Sequence, residues 1–153
     1  MLEVIELGTH LFLRGGTVRA VDGVSLTVGA GETLGVVGES GCGKSMLALS
    51  ILRLVPSPPA EIVGGKILFG GRNLLELSDS EMRKIRGKDI SMIFQEPMTS
   101  LNPVVTIGQQ LGEAVTLHQG LSRRDAADKT IEMLKLVRRP EPERRASDYP
   151  HQM

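Results

Sequence analysis

Tryptophan is absent from this chain, tyrosine occurs once and phenylalanine three times. Any core must therefore be aliphatic, built from Leu, Val, Ile and Met, and the 41% hydrophobic share is enough to supply one. Cysteine is nearly absent too. The single Cys42 excludes an intramolecular disulfide and a cysteine cluster for metal. An excess of either charge is missing, because 18 Lys and Arg balance 18 Asp and Glu, so no sequence-independent pull toward nucleic acid is expected. No apolar run approaches the roughly 18 residues of a membrane span. The segment Met1-Leu2-Glu3-Val4-Ile5-Glu6 carries acid where a secretory signal carries base, which predicts a cytosolic location. His10, His118 and His151 have no metal-ligand spacing, and no internal repeat or low-complexity tract is present.

What is abundant is glycine, and its placement matters. Gly38-Glu39-Ser40-Gly41-Cys42-Gly43-Lys44-Ser45 matches G-x-x-x-x-G-K-[ST], the loop that wraps nucleotide phosphates. Glycines let the backbone turn so that successive N–H groups point inward as an anion-binding nest. Lys44 is placed to reach the β- and γ-phosphates and the Ser45 hydroxyl to ligate Mg²⁺. A helix beginning here, with Met46 in its first turn, adds the positive end of its dipole. The flanks fit: Thr33-Leu34-Gly35-Val36-Val37 has the texture of a buried central parallel strand. Met46, Leu47, Leu49, Ile51, Leu52 and Leu54 predict a helix of roughly three turns, stopped by Pro56-Ser57-Pro58-Pro59. Cys42 reads as a small loop residue. The loop implies a nucleoside triphosphate site.

At 153 residues the chain fits one domain, or one and part of another. Leu2–Leu7 and Val18–Val28 read as strands, the second alternating at Val24, Leu26 and Val28. Lys66–Phe69, between glycine pairs, predicts an antiparallel edge strand. Ser78-Asp79-Ser80-Glu81 is a capping box opening a short basic helix through Arg86. Asp89–Phe94 reads as a buried strand. Thr106–His118 predicts a helix with Ile107, Leu111, Ala114 and Val115 on one face. Ser122 caps a second helix, with Asp125 at its third position and Ala127, Ile131 and Leu134 as the inner stripe. Arg138–Glu143 is a polar loop.

Four stretches carry a family resemblance: Ala20-Val21-Asp22-Gly23-Val24-Ser25-Leu26, the phosphate loop, Met92-Ile93-Phe94-Gln95-Glu96-Pro97-Met98-Thr99-Ser100-Leu101-Asn102-Pro103, and Tyr149-Pro150-His151-Gln152. Together they resemble the ATP-binding subunits of ABC transporters, specifically the peptide and nickel (dipeptide and oligopeptide) importers. The likeness runs from Leu2 to Met153. The implied fold class is α/β: a P-loop NTPase, an ABC-type nucleotide-binding domain with a β-rich ATP-binding core over residues 1–95 and a partial helical subdomain over 96–153.

The resemblance implies site residues and partners as well. Gln95 matches the Q-loop glutamine, a catalytic and Mg²⁺-proximal group that joins the core to the helical subdomain. Phe12, or Leu11, falls near the aromatic that stacks on adenine, although a core role explains Phe12 as well. His151 matches the histidine before the family's signature and reads as structural. The nucleotide-binding set is thus Gly38 to Met46 with Phe12; Lys44 and Gln95 are catalytic, and Ser45 and Gln95 serve the metal. The implied cofactors are ATP and Mg²⁺. The implied partners are transmembrane permease subunits and a second ATP-binding subunit in a head-to-tail dimer, with the protein peripheral at the cytoplasmic face of the membrane.

The family's Ser-Gly-Gly signature, acidic Walker B strand and switch histidine are absent from these residues, so the expectation is an N-terminal part of a truncated subunit. Loss of a water-orienting carboxylate typically removes about 10²–10⁴ in rate, so this stretch alone is expected to be inactive and prone to self-association. An alternative is a nucleotide-binding or interaction fragment without turnover. Another P-loop enzyme, a small kinase or GTPase, is opposed by Gln95-Glu96-Pro97 and the helical segment after it.

Overall fold

Apolar side chains alternating with polar ones drive Leu2–Leu13 (β1) and Gly16–Val28 (β2) into a long antiparallel hairpin, closed by the two residues Arg14 and Gly15. In the computed structural model, which describes residues 1–94 and 101–153, this hairpin begins the first of two compact units, Met1–Arg86 and Gly87–Met153. Ala60–Phe69 (β3) pairs along the other side of β1, and the two-residue Arg72–Asn73 (β4) completes a sheet of order β2-β1-β3-β4. Every pairing is antiparallel. β3 is longer than the predicted Lys66–Phe69 and has neighbours on both sides, so the short β4 forms the edge.

β1 bulges between Ile5 and Gly8, where its register against β3 shifts. Gly65 lies across this bulge with φ +96°, and a Cβ there would sit 2.6 Å from the Glu6 carbonyl oxygen and from the Leu7 Cα. Glycine alone fits such a crossing. The core of this unit is Val4, Leu7, Val21, Ile67, Leu74 and Met82, all nearly inaccessible. It is aliphatic, as the scarcity of aromatics requires.

Lys44–Ile51 (α1) packs on β1 and β2. It ends a turn earlier than predicted, because Arg53 adopts a left-handed φ of 53° and turns the chain before the prolines are reached. The carbonyls beyond this helix end are satisfied by a cation: Arg86 donates from Nε to the Leu52 oxygen at 2.8 Å and from Nη2 to the Arg53 oxygen at 2.9 Å. A guanidinium at a helix C-terminus also complements its dipole. Arg53 itself donates to the carbonyls of Leu74 and Leu77. Asp79–Ile85 (α2) opens on the predicted capping box, with the Ser78 hydroxyl accepting from the Glu81 amide and the Glu81 carboxylate accepting from the Ser78 amide at 3.0 Å.

Two expected strands do not form. Thr33–Val37 has no ladder partner, and Leu34, Val36 and Val37 are exposed, the last by 93%. Asp89–Phe94 gives only an isolated bridge residue at Ile90, with Ile93 90% exposed. A strand exists through hydrogen bonds to a neighbour, and among the described residues no strand runs beside either segment. Propensity without a partner leaves irregular chain.

In the second unit, Thr106 caps Ile107–Gln119 (α3), which Gly120 ends in the left-handed region. Ser122 caps Arg123–Leu136 (α4) as predicted, accepting from the Asp125 amide at 3.2 Å. The buried stripe of α4 is Ala126, Thr130 and Leu134, which displaces the expected Ala127 and Ile131 by one position. Burying Thr130 costs little because its hydroxyl donates to the Ala126 carbonyl at 2.8 Å. Ala127 and Ile131 instead line a groove of about 830 Å³ together with Gly108, Gly112, Thr116 and Leu117. Ala114 is likewise exposed rather than on the inner face of α3. The short helix Pro142–Arg145 (α5) follows, and the Ala146 carbonyl after it accepts from the Gly108 amide at 2.7 Å.

Candidate functional site

The phosphate-loop sequence forms a compact turn running into α1. Gly38, Glu39, Ser40, Gly41 and Cys42 are exposed, Gly43 is the N-cap of the helix, and Lys44, Ser45 and Met46 form its first turn. The N-cap has φ +93° and offers no side-chain oxygen, so no side chain competes for the first amides of α1. Those amides have no partner within the helix. The first turn also contains no acidic residue, leaving the positive end of the dipole unneutralised. A Cβ on Gly43 would collide with the Ala20 carbonyl oxygen, so the loop backbone lies directly against β2. A Cβ on Gly38 would sit 2.7 Å from the Cys42 sulfur. A side chain at Gly38 would crowd the loop itself, and one at Gly43 would push the loop off β2.

Lys44 closes over this turn. Its ammonium donates to the carbonyl oxygens of Gly38 and Glu39, each at 2.7 Å, and lies 3.4 Å from Cys42 Sγ. The cation therefore stands among the loop residues, bonded to weak neutral acceptors. The Ser45 hydroxyl is exposed beside it. Main-chain amides, one ammonium and one hydroxyl make a donor set suited to a polyphosphate, with a single oxygen to offer a divalent cation. Among the described residues no cluster of three or more His, Cys, Asp or Glu forms a protein-only metal site.

Phe12 is near the end of β1, in register with Thr17 and half exposed, with its ring 6.4 Å from that of His10. Leu11 precedes it, paired with Val18. Gln95 lies outside the described residues. His151 stacks on Tyr149 at 5.8 Å.

Residues the sequence did not single out hold the loop helix in place. Thr9 on β1 and Ser50 on α1 are both fully buried, with their hydroxyl oxygens 2.8 Å apart. Ser50 also donates to the Met46 carbonyl at 2.7 Å. Arg86 grips the far end of α1 as described. No local signal could reveal these, since the partners are 41 and 34 residues apart.

A probable peptide ABC transporter ATP-binding protein, y4tR, of Sinorhizobium fredii is 56% identical over the whole chain, which spans 46% of that protein. The dipeptide transport ATP-binding protein DppD of Bacillus subtilis is 51% identical over 99% of the chain and 45% of its own length. The chain thus spans about half the length of the curated relatives it matches. Among solved structures, the ATP-binding cassette MJ0796 in a dimeric post-hydrolysis state bound to ADP and Pi superposes with a TM-score of 0.83 at 23% identity, covering 100% of this chain and 63% of that one. That likeness establishes the fold, an ABC-type cassette. Residues 21–153 match the ABC transporter family, and with the phosphate loop inside that span the chain belongs to it.

Proposed function

We propose that this chain supplies the nucleotide-gripping part of an ATP-binding subunit whose hydrolysis of ATP drives import of peptides or related solutes. The observation that carries the reading is the closure of Gly38–Ser45 around Lys44, at the start of a helix with an unneutralised N-terminus. On ligand arrival the Lys44 ammonium exchanges two neutral carbonyls for phosphate oxygens, a stronger charge-assisted pairing. The loop and first-turn amides of residues 38–46 bind the remaining phosphate oxygens, and the Ser45 hydroxyl ligates Mg²⁺. Gln95 orients the metal and the attacking water, and Phe12 stacks on the base, as the resemblance implies. The peptide solute is supported by relatives 45–56% identical that are ATP-binding proteins of peptide, dipeptide and oligopeptide transport.

The proposed partners are permease subunits in the membrane and a second ATP-binding subunit facing this one; the dimeric MJ0796 cassette has the same fold. No helix among the described residues is long and apolar enough to cross a membrane. Attachment at the cytoplasmic face through the permease accords with that. A titration of a fluorescent ATP analogue with Mg²⁺ tests the reading. Lys44→Ala is expected to weaken binding by about tenfold or more, the worth of one charge-assisted contact. Undiminished affinity in the variant, or no binding by the unaltered chain, overturns it.

A further inference from the structure

The phosphate-loop helix is held on the sheet by few groups. Of its eight residues only Leu47 and Ser50 are buried. Leu47 supplies apolar contact, which is non-directional and tolerates sliding and rotation. Ser50 differs. Its hydroxyl has one hydrogen, and the 2.7 Å bond to the Met46 carbonyl uses it. The 2.8 Å contact with Thr9 therefore runs from Thr9 Oγ1–H to Ser50 Oγ. The result is a directed chain, Thr9 hydroxyl to Ser50 hydroxyl to Met46 carbonyl, that starts on the central strand β1 and ends one residue beyond Ser45. Both hydroxyls are inaccessible to water. A break in the chain would leave buried polar atoms without partners, so distance and angle are tightly specified.

We propose that Thr9 and Ser50 are positioning residues for nucleotide binding: their buried bond sets the rotation of α1 and thereby the aim of the Lys44 ammonium and the Ser45 hydroxyl. The inference rests on the nucleotide-binding reading above. Gly43 against the Ala20 carbonyl fixes the near end of the helix, and the hydroxyl chain fixes its azimuth. Turning a helix by about 20° moves a Cα at radius 2.3 Å by about 0.8 Å and a long side-chain tip further. Misplacement on that scale spoils a preorganised site.

The test titrates a fluorescent ATP analogue with Mg²⁺ into the unaltered chain, Ser50→Ala, Thr9→Val, the double variant, Thr9→Ser and Ile67→Val, with thermal unfolding recorded for each. Thr9→Val should weaken affinity about fivefold, the equivalent of one net hydrogen bond, and Ser50→Ala, which also removes the bond to the Met46 carbonyl, at least as much. The double variant should lose no more than the worse single one, because the two residues share one bond. Thr9→Ser retains the hydroxyl and should bind within about twofold of the unaltered chain, as should Ile67→Val, a core truncation on another element that lowers stability alone. Folded variants with unchanged affinity, or an equal loss in Ile67→Val, overturn the positioning role. Should Ser50→Ala fail to fold, Thr9→Val against Thr9→Ser decides alone. Absence of binding by the unaltered chain overturns the nucleotide reading instead, a distinct outcome.

Discussion

At Gly43 two independent constraints meet: a backbone angle that L side chains rarely adopt, and a carbonyl of β2 standing where a Cβ would go. Either would disfavour substitution, and together they bind loop shape to sheet position. Gly43→Ala should cost about 1–3 kcal/mol in urea unfolding and weaken nucleotide binding, because the loop must back away from Ala20. Gly15→Ala, with nothing within 4 Å of the added methyl, should stay within about 0.5 kcal/mol. At this scale the sequence was most readable. Gly38, Gly41, Gly43 and Lys44 announce themselves because they fall within eight consecutive positions that match the spacing of a phosphate-binding loop. Thr9 and Ser50 do not, since only the fold brings a hydroxyl on one strand to a hydroxyl on a helix far along the chain.

Among the elements, α2 shows how much stabilisation a local signal can specify. The Ser78 amide and hydroxyl, and then the Arg72 guanidinium, hold the Glu81 carboxyl below its ordinary value. A carboxyl with a depressed folded-state value stabilises the fold above the ordinary range, near about 4.3, and loses that contribution as pH falls through the lowered value. Glu81→Gln should therefore lower the melting temperature at neutral pH, and the gap should close in acid below about pH 4. Ser78→Ala removes the cap and should cost about 1 kcal/mol at neutral pH, and less in acid, because the lost hydroxyl also helps hold the Glu81 carboxyl down. Capped helices were legible for the same reason: α2 and α4 start where Ser78 and Ser122 predict. The inner stripe of α4 was displaced by one residue because apolar periodicity does not register that Thr130 can satisfy its own hydroxyl within the helix. Thr33–Val37 and Asp89–Phe94 misled because strand propensity is local and strand pairing is not.

For the molecule as a whole, the consequence of those unpaired segments is apolar surface open to water. Leu34, Val36 and Val37 are each more than 40% exposed within four positions. A run of this kind is an association liability. Val37→Lys should leave unfolding stability within about 0.5 kcal/mol and reduce self-association relative to the unaltered chain, as measured by sedimentation velocity over a range of concentrations. Unchanged association would place the adhesive surface elsewhere. The aliphatic character of the core is evident from composition, whereas the all-antiparallel sheet of the described residues is not, because Thr33–Val37 has the texture of a central parallel strand and finds no partner.

The two short bonds from Lys44 to its own loop have a thermodynamic corollary. A free lysine surrenders up to about 2 kcal/mol of rotamer entropy when it is immobilised, and here that loss is incurred in folding. On the nucleotide-binding function proposed for this loop, an incoming anion would meet a cation already ordered and need only outcompete two peptide oxygens. The same arrangement sets a threshold for entry. A ligand must offer oxygens more basic than amide carbonyls, and several at once, before the side chain gains by letting go.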